Sequence, residues 1–327
     1  MNGAIWVIGE PARGGLAHIS EEVATAARLL GAERGRDVAG VFVGANAAVG
    51  AVAMAQFVPR VLSVEVPAAK DHAWAAVAGS PLATLVEQEA PDYLLIGATP
   101  DGRDLAGFLS ARLGWGILVN AEEIGWSETG PMIETSVFGG RLITTGGFTG
   151  PRGIVTVRPN SVAAVPIDAP GTVETVASIA SDTLPLVVVV EHVVDASAAA
   201  PIEDAKVIVT GGRGVGGTEG FALVQELASE LGGAVGATRP AVDEGWLPYA
   251  HQIGQTGKVV KPSLYVGLGV SGAIQHTVGM RGSSSVIAVD RVQDTPFAEL
   301  ADLFVVGDLF EVVPALIRAL RERRDEA

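Results

Sequence analysis

The sequence predicts an α/β protein of two domains, each with a mainly parallel sheet flanked by helices. Short apolar runs alternate with longer helical patterns through the first third of the chain, and the same rhythm restarts near Lys206. Between the two, around residues 116–194, the pattern changes to short strand-like runs separated by Gly and Pro. The length of 327 residues suits two domains, and a composition that is 48% hydrophobic with 42 glycines supports large cores with small packing residues.

The elements follow in order. Residues 5–8 read as a strand. Ser20 is placed to cap a helix with Glu21 and Glu22 in its first turn, and Gly31 to end it. A strand over 38–43, a helix over 47–57 and a strand over 61–66 come next. Ser80-Pro81 has the residue types of an N-cap followed by N1 and is expected to open a helix. A strand over 93–96 and a helix over 103–113 complete the first run. Segments 132–138, 141–145, 153–157 and 186–194 read as strands that either extend the first sheet or form a small β layer. The apolar run 184–190 is too short to cross a bilayer and is expected to be a buried strand. The first domain is thus placed at 1–194, a linker rich in small residues at 195–204, and the second domain at 205–327. In the second domain the spacing predicts strands over 206–209, 264–266, 286–289 and 303–306. Helices are predicted over 218–231, 274–280 and 309–321.

The net charge of −15 argues against binding nucleic acid or an anionic membrane surface. The absence of cysteine excludes disulfides, Cys-ligated metals and thiol catalysis. His18, His72, His192 and His251 show no metal-ligand spacing and read as structural or surface residues, so no metal site is expected. The N-terminus has no basic n-region, which leads us to expect a cytoplasmic protein with no signal or transit peptide and no membrane insertion.

Chemistry concentrates in the second domain. Gly267, Gly269 and Gly272 form G-x-G-x-x-G between an expected strand and an expected helix, and Asp290 lies 21 residues past Gly269 at the end of the next strand. This is the layout of a Rossmann-like dinucleotide turn. The glycines admit a pyrophosphate to the backbone, the helix N-terminus favours its charge, and the acid suits a ribose hydroxyl. Gly211-Gly212-Arg213-Gly214 reads equally as a tight turn with a solvated Arg or as a phosphate clamp. Gly254-Gln255-Thr256-Gly257-Lys258 lacks the P-loop order, because Val259 follows the lysine, and this disfavours a nucleoside triphosphatase.

The run Val266-Gly267-Leu268-Gly269-Val270-Ser271-Gly272-Ala273-Ile274-Gln275-His276, closing with Gly279-Met280, resembles the signature of electron-transfer flavoprotein α subunits. The segments at 211–214, 237–243, 254–258, 301–302 and 307–310 agree with it in order and spacing, as do those at 102–106 and 156–159 in the first half. The resemblance implies a C-terminal FAD-binding domain and an N-terminal domain that contacts a β subunit. That partner carries AMP or, in electron-bifurcating members, a second FAD. It also implies a redox carrier with no substrate of its own, taking electrons from flavoprotein dehydrogenases such as acyl-CoA dehydrogenases and delivering them to a membrane quinone oxidoreductase. Read from the glycine turn and Asp290 alone, a nicotinamide-dependent dehydrogenase is the alternative, but no catalytic dyad accompanies it.

Carried over residue by residue, the resemblance implies that Arg213 and the run Ser271, Gly272, Ala273, Ile274, Gln275 and His276 hold the FAD phosphates and ring edge. Thr238 and Arg239 then lie beside the isoalloxazine. Gln255 and Thr256 flank it, with the Thr256 hydroxyl near flavin N5, and Ile253 and Gly254 belong to the same cofactor-binding set. His276 hydrogen-bonds flavin O2, and Asp290, Asp308 and Leu309 contact the adenosine end. Thr238 stands where the family commonly has Ser, and Asp290 where it often has Asn. Both keep the hydrogen-bonding group that the role needs.

Overall fold

The fold is described from a computed structural model, covering residues 3–12, 15–137, 142–177, 187–191 and 202–325. The chain divides into two compact units, 1–193 and 194–327. Most of the expected linker, residues 195–201, lies outside the described residues, and Ile202–Asp204 form a 3-10 turn.

The first unit runs β1 (Ile5–Gly9), β2 (Pro11–Ala12), β3 (Gly15–Leu16), α1 (His18–Arg34), β4 (Val38–Gly44), α2 (Ala47–Met54), β5 (Arg60–Glu65), α3 (Trp74–Glu89), β6 (Tyr93–Gly97) and α4 (Pro100–Leu113). It continues with β7 (Gly116–Ala121), β8 (Glu123–Trp126), β9 (Pro131–Val137), β10 (Leu142–Gly147), β11 (Gly153–Val157) and β12 (Thr172–Val176). Seven of these strands form one parallel sheet in the order β12-β5-β4-β1-β6-β11-β7. The side-chain period of two sends Ile5 and Val7 to the face packed by α1 and α2, and Trp6 and Ile8 to the face packed by α3 and α4. The middle segment takes both of its expected forms. Strands β7, β11 and β12 extend the sheet, while β8, β9 and β10 make a separate antiparallel layer.

Four expectations in this unit are corrected. Ser20 does not cap α1, which begins at His18 after Ala17; the buried Ser20 hydroxyl accepts instead from the Glu10 N–H at 2.9 Å. Nor does Gly31 end that helix. It lies inside it, and the chain leaves through the left-handed Gly35 (φ 59°), whose N–H returns to the Gly31 carbonyl. Ser80-Pro81 sits in the middle of α3, since burial of Val77, Leu82 and Leu85 against the sheet outweighs the missing proline N–H. The apolar run 184–190, and with it the expected strand 186–194, is not a buried strand where it is described, at 187–191. Val188 makes one antiparallel bridge to His72, in a turn that offers no longer strand to pair with. Val187, Val188 and Val190 are 61%, 58% and 95% exposed.

The second unit runs β13 (Val207–Gly211), α5 (Thr218–Glu230), β14 (Ala234–Ala237), α6 (Arg239–Asp243), β15 (Leu264–Leu268), α7 (Ile274–Thr277), β16 (Val286–Asp290), β17 (Leu303–Val306) and α8 (Leu309–Asp325). Its five strands are parallel in the order β14-β13-β15-β16-β17. Val209, Val266 and Val289 point to one face, into a core with α5 and α8. Ile208, Tyr265 and Ala288 point to the other, where Ile253, Val260, Met280 and Phe297 cover them. Helix α7 is shorter than the predicted 274–280, ending in turns that bring Gly279 against residues 254–260. Strand order reverses between β13 and β15, which opens a crevice at their C-terminal ends.

Candidate functional site

All five strands of the second sheet end on the same edge, and the expected cofactor-binding residues lie on that edge, on the loop packed against it or, for His276, beneath that loop. Gly211 ends β13, and the chain turns through Gly212 to the exposed Arg213. Thr238 follows β14, and Arg239 opens α6, exposed and 3.3 Å from Asp243. Gly269 and Gly272 follow β15 with φ of 61° and 80°. Only glycine fits Gly272 without strain, since a Cβ there would lie 2.3 Å from the Phe297 nitrogen and φ is positive. The turns interlock, with the Gly212 N–H donating to the Leu268 carbonyl and the Gly214 N–H to Gly269. Ser271, Ala273 and Gln275 are exposed, Ile274 half-buried and Gly272 buried.

Asp290 ends β16 and accepts from the Val292 N–H at 2.9 Å. Asp308, past β17, accepts from the Phe310 N–H at 2.9 Å and pairs with Arg291; these two contacts, the Phe310 bond first, hold its carboxyl below the usual range. The Leu309 side chain packs into the core with Val313 and Ile317, so this residue presents only backbone to a ligand. The outer positions, Arg239 after β14 and Asp308 after β17, are four strand spacings apart, roughly 19 Å at ~4.8 Å per strand. That span suits an extended dinucleotide better than a mononucleotide.

Loop 252–258 closes the site. It is tied to β14 by the Ile253 N–H donating to the Ala237 carbonyl, and to the α7 turn by the Gln255 N–H donating to Gln275 at 2.6 Å. Gly254 allows the close approach, as a Cβ would meet the Gln275 carbonyl at 2.4 Å. Gln255 and Thr256 are exposed at its tip. Beneath it, His276 is 6% exposed. Its Nδ1–H donates to the Ile253 carbonyl at 3.0 Å, and its Nε2 accepts from the Tyr265 hydroxyl at 2.7 Å. Burial lowers its pKa to about 4, against a smaller opposing effect from the Ile253 carbonyl, and the ring is neutral at physiological pH. A neutral imidazole has one N–H, and here Ile253 takes it. Donation to flavin O2 therefore requires His276 to give up a bond that it makes within the protein.

The edge fits an anionic, hydrogen-bonding ligand. The Thr238 hydroxyl is buried with no partner among the described residues, a costly arrangement unless something satisfies it. Beside Arg213, a Cβ at Gly216 or Gly217 would meet nothing within 4 Å, which leaves room against the backbone.

The sequence reading missed Gln252, Tyr249 and Tyr265. Each works through one hydrogen bond to a site residue: Gln252 to the Thr256 hydroxyl at 3.0 Å, Tyr249 to the Thr256 carbonyl, and Tyr265 to His276. Only Tyr265 left a trace, as a polar-tipped residue at an inward position of a short core strand. The other histidines are held locally: His18 by Glu21, His72 by the Ala68 carbonyl and His251 by the Val235 carbonyl. His192 lies outside the described residues. No helix among the described residues is long and apolar enough to cross a membrane.

Known proteins match both units. Residues 5–183 match the electron transfer flavoprotein domain, and residues 201–281 match the electron transfer flavoprotein FAD-binding domain. The electron transfer flavoprotein subunit alpha of Mycobacterium leprae (strain TN) is 39% identical over 321 residues, covering 97% of this chain and 98% of the relative. That of Bacillus subtilis (strain 168) is 36% identical over 326 residues, covering 98% of each chain. Protein FixB of Clostridium saccharobutylicum is 34% identical over 322 residues, covering 97% of this chain and 96% of the relative.

Proposed function

This chain belongs to the electron-transfer flavoprotein family as an α subunit, with FAD as its cofactor, and from that premise we propose how it works. It binds one FAD along the C-terminal edge of the second sheet and pairs with a β subunit. It carries electrons from flavoprotein dehydrogenases, acyl-CoA dehydrogenases among them, to a membrane quinone oxidoreductase. The observation that carries this reading is the convergence of the Gly269–Gly272 turn, Arg213, Arg239 and Thr256 on one edge of a parallel sheet.

Bound FAD supplies the electron chemistry, and the protein supplies position and charge. Arg213 and residues 271–275 hold the pyrophosphate. Asp290 and Asp308, with the backbone at Leu309, take the adenosine end. Thr238, Arg239 and the 253–256 loop face the isoalloxazine, where the Arg239 charge favours reduced, anionic flavin. His276 holds that loop against the turn. The first unit carries the β-subunit contact, a reading supported by the exposed Leu142 and Ile143 on β10, 55% and 69% accessible.

Co-expression with a β subunit, followed by counting cofactors, tests the proposal. One FAD and one AMP per heterodimer supports it, two FAD point to the electron-bifurcating type, and a colourless heterodimer contradicts it. In the same preparation Arg239→Ala should destabilise the reduced flavin by roughly 1–3 kcal/mol, the scale of a charged hydrogen bond, and so lower the reduction potential. Arg213→Ala should instead weaken FAD binding and move the potential less.

A further inference from the structure

We propose that Gln252 is a positioning residue that aims the Thr256 hydroxyl proton at flavin N5. The proposal rests on the reading that Thr256 faces the isoalloxazine.

Gln252 is 3% exposed, and its backbone anchors both ends of its loop. It bridges to Ala237 at the end of β14, and its carbonyl accepts from the Lys258 N–H at 2.7 Å. Gly257 makes this closure possible, as a Cβ there would lie 2.3 Å from that same carbonyl. The Gln252 side chain is therefore carried on a fixed frame. From it, Nε2 donates to the Thr256 Oγ1 at 3.0 Å. Tyr249 donates to the Thr256 carbonyl.

Hydrogen-bonding capacity decides where the Thr256 proton points. A threonine hydroxyl has one proton to give and lone pairs to accept with. When Gln252 donates into a lone pair, the proton cannot point back toward the amide, and it turns to the exposed side of Thr256. An unconstrained hydroxyl rotor would share its proton among solvent directions. Gln252 removes that freedom before FAD arrives and makes Thr256 a committed donor. An oxidised flavin N5 has a lone pair and no hydrogen, so it is the acceptor that a committed donor selects.

The test compares FAD with 5-deaza-FAD, in which a C–H replaces the N5 acceptor, as ligands for heterodimer stripped of flavin. Wild type should prefer FAD by about tenfold, the worth of one good hydrogen bond. Thr256→Val should abolish the preference. Gln252→Glu should abolish it too, because a carboxylate accepts the Thr256 proton and turns it away from the ligand. Gln252→Met, similar in shape but without a donor, should reduce the preference several-fold while leaving 5-deaza-FAD affinity unchanged, which also controls for folding. If Thr256→Val removes the preference and both Gln252 variants keep it, the positioning role is overturned while the placement of Thr256 stands. If wild type shows no preference and Thr256→Val changes nothing, the placement of Thr256 fails and the proposal falls with it.

Discussion

The two parallel sheets share an architecture and differ at the edge where their strands end. In each, strand order reverses near the first strand, between β1 and β6 in one unit and between β13 and β15 in the other. The second unit meets that crevice with glycine turns, Arg213, Arg239 and a Thr238 hydroxyl that has no partner among the described residues. The first unit lines the same end of its sheet with its own acids. Glu65 places both carboxylate oxygens on the Asn46 and Ala47 N–H groups at the start of α2, at 2.9 and 2.8 Å, where a phosphate would otherwise be welcome. Glu10, at the end of β1, accepts from the Thr99 hydroxyl at 2.6 Å. Its pKa is raised to about 7, chiefly by burial, with Asp101 adding to the rise. The same fold is thus open to an anion in one unit and self-filled in the other, and the difference lies in a handful of side chains at strand ends.

Closing the second edge should erase the difference between the two units most completely. Gly272→Ala adds a Cβ 2.3 Å from the Phe297 nitrogen at a φ of 80°. We expect FAD affinity to fall by at least about a hundredfold, some 3 kcal/mol, measured by flavin fluorescence titration. The first unit should unfold as before.

The pH response separates the units further. His276 is held neutral, with a pKa near 4 against an ordinary 6.5. Between those values the unfolded chain binds a proton that the folded chain refuses, so stability of the second unit is present above pH 6.5 and is lost as pH falls toward 4. The loss should approach about 3 kcal/mol in urea titrations. His276→Gln should flatten this segment of the profile.

Glu10 has the opposite sign. The folded chain keeps a proton that the unfolded chain releases above its ordinary pKa of 4.5, so its contribution is present below pH 4.5 and is lost as pH rises through about 7. Glu10→Gln keeps an acceptor for Thr99 and should stabilise the first unit by about 1–3 kcal/mol at pH 8, with FAD affinity unchanged. Destabilisation at pH 8 would show that the Glu10 carboxylate is better accommodated than its burial implies.

Much of this was legible in the sequence, because it rests on local signals. The βα rhythm, the Gly267–Gly272 pattern and the arginines after strands are short-range, and the structure gathers them on one edge. What escaped depends on tertiary burial or on pairing between distant segments. Ser20 and Ser80-Pro81 have the chemistry of helix starts, but each lies inside a helix where burial of the neighbouring turn decides the boundary. Gln252 sits in no motif, and its role emerges only when its loop is folded back to bring Thr256 within 3.0 Å. Glu65 caps a helix that starts 18 residues before it, a relation no local window contains.

On the proposed function, FAD occupies the edge of the second sheet and leaves the first alone. Hydrogen–deuterium exchange on the flavin-stripped heterodimer, with and without added FAD, tests it at both edges at once. FAD should protect amides at 211–217, 253–256 and 270–276, and leave those at 44–47 and 97–102 unchanged. Protection at 44–47 and 97–102 without protection at 270–276 would contradict the account.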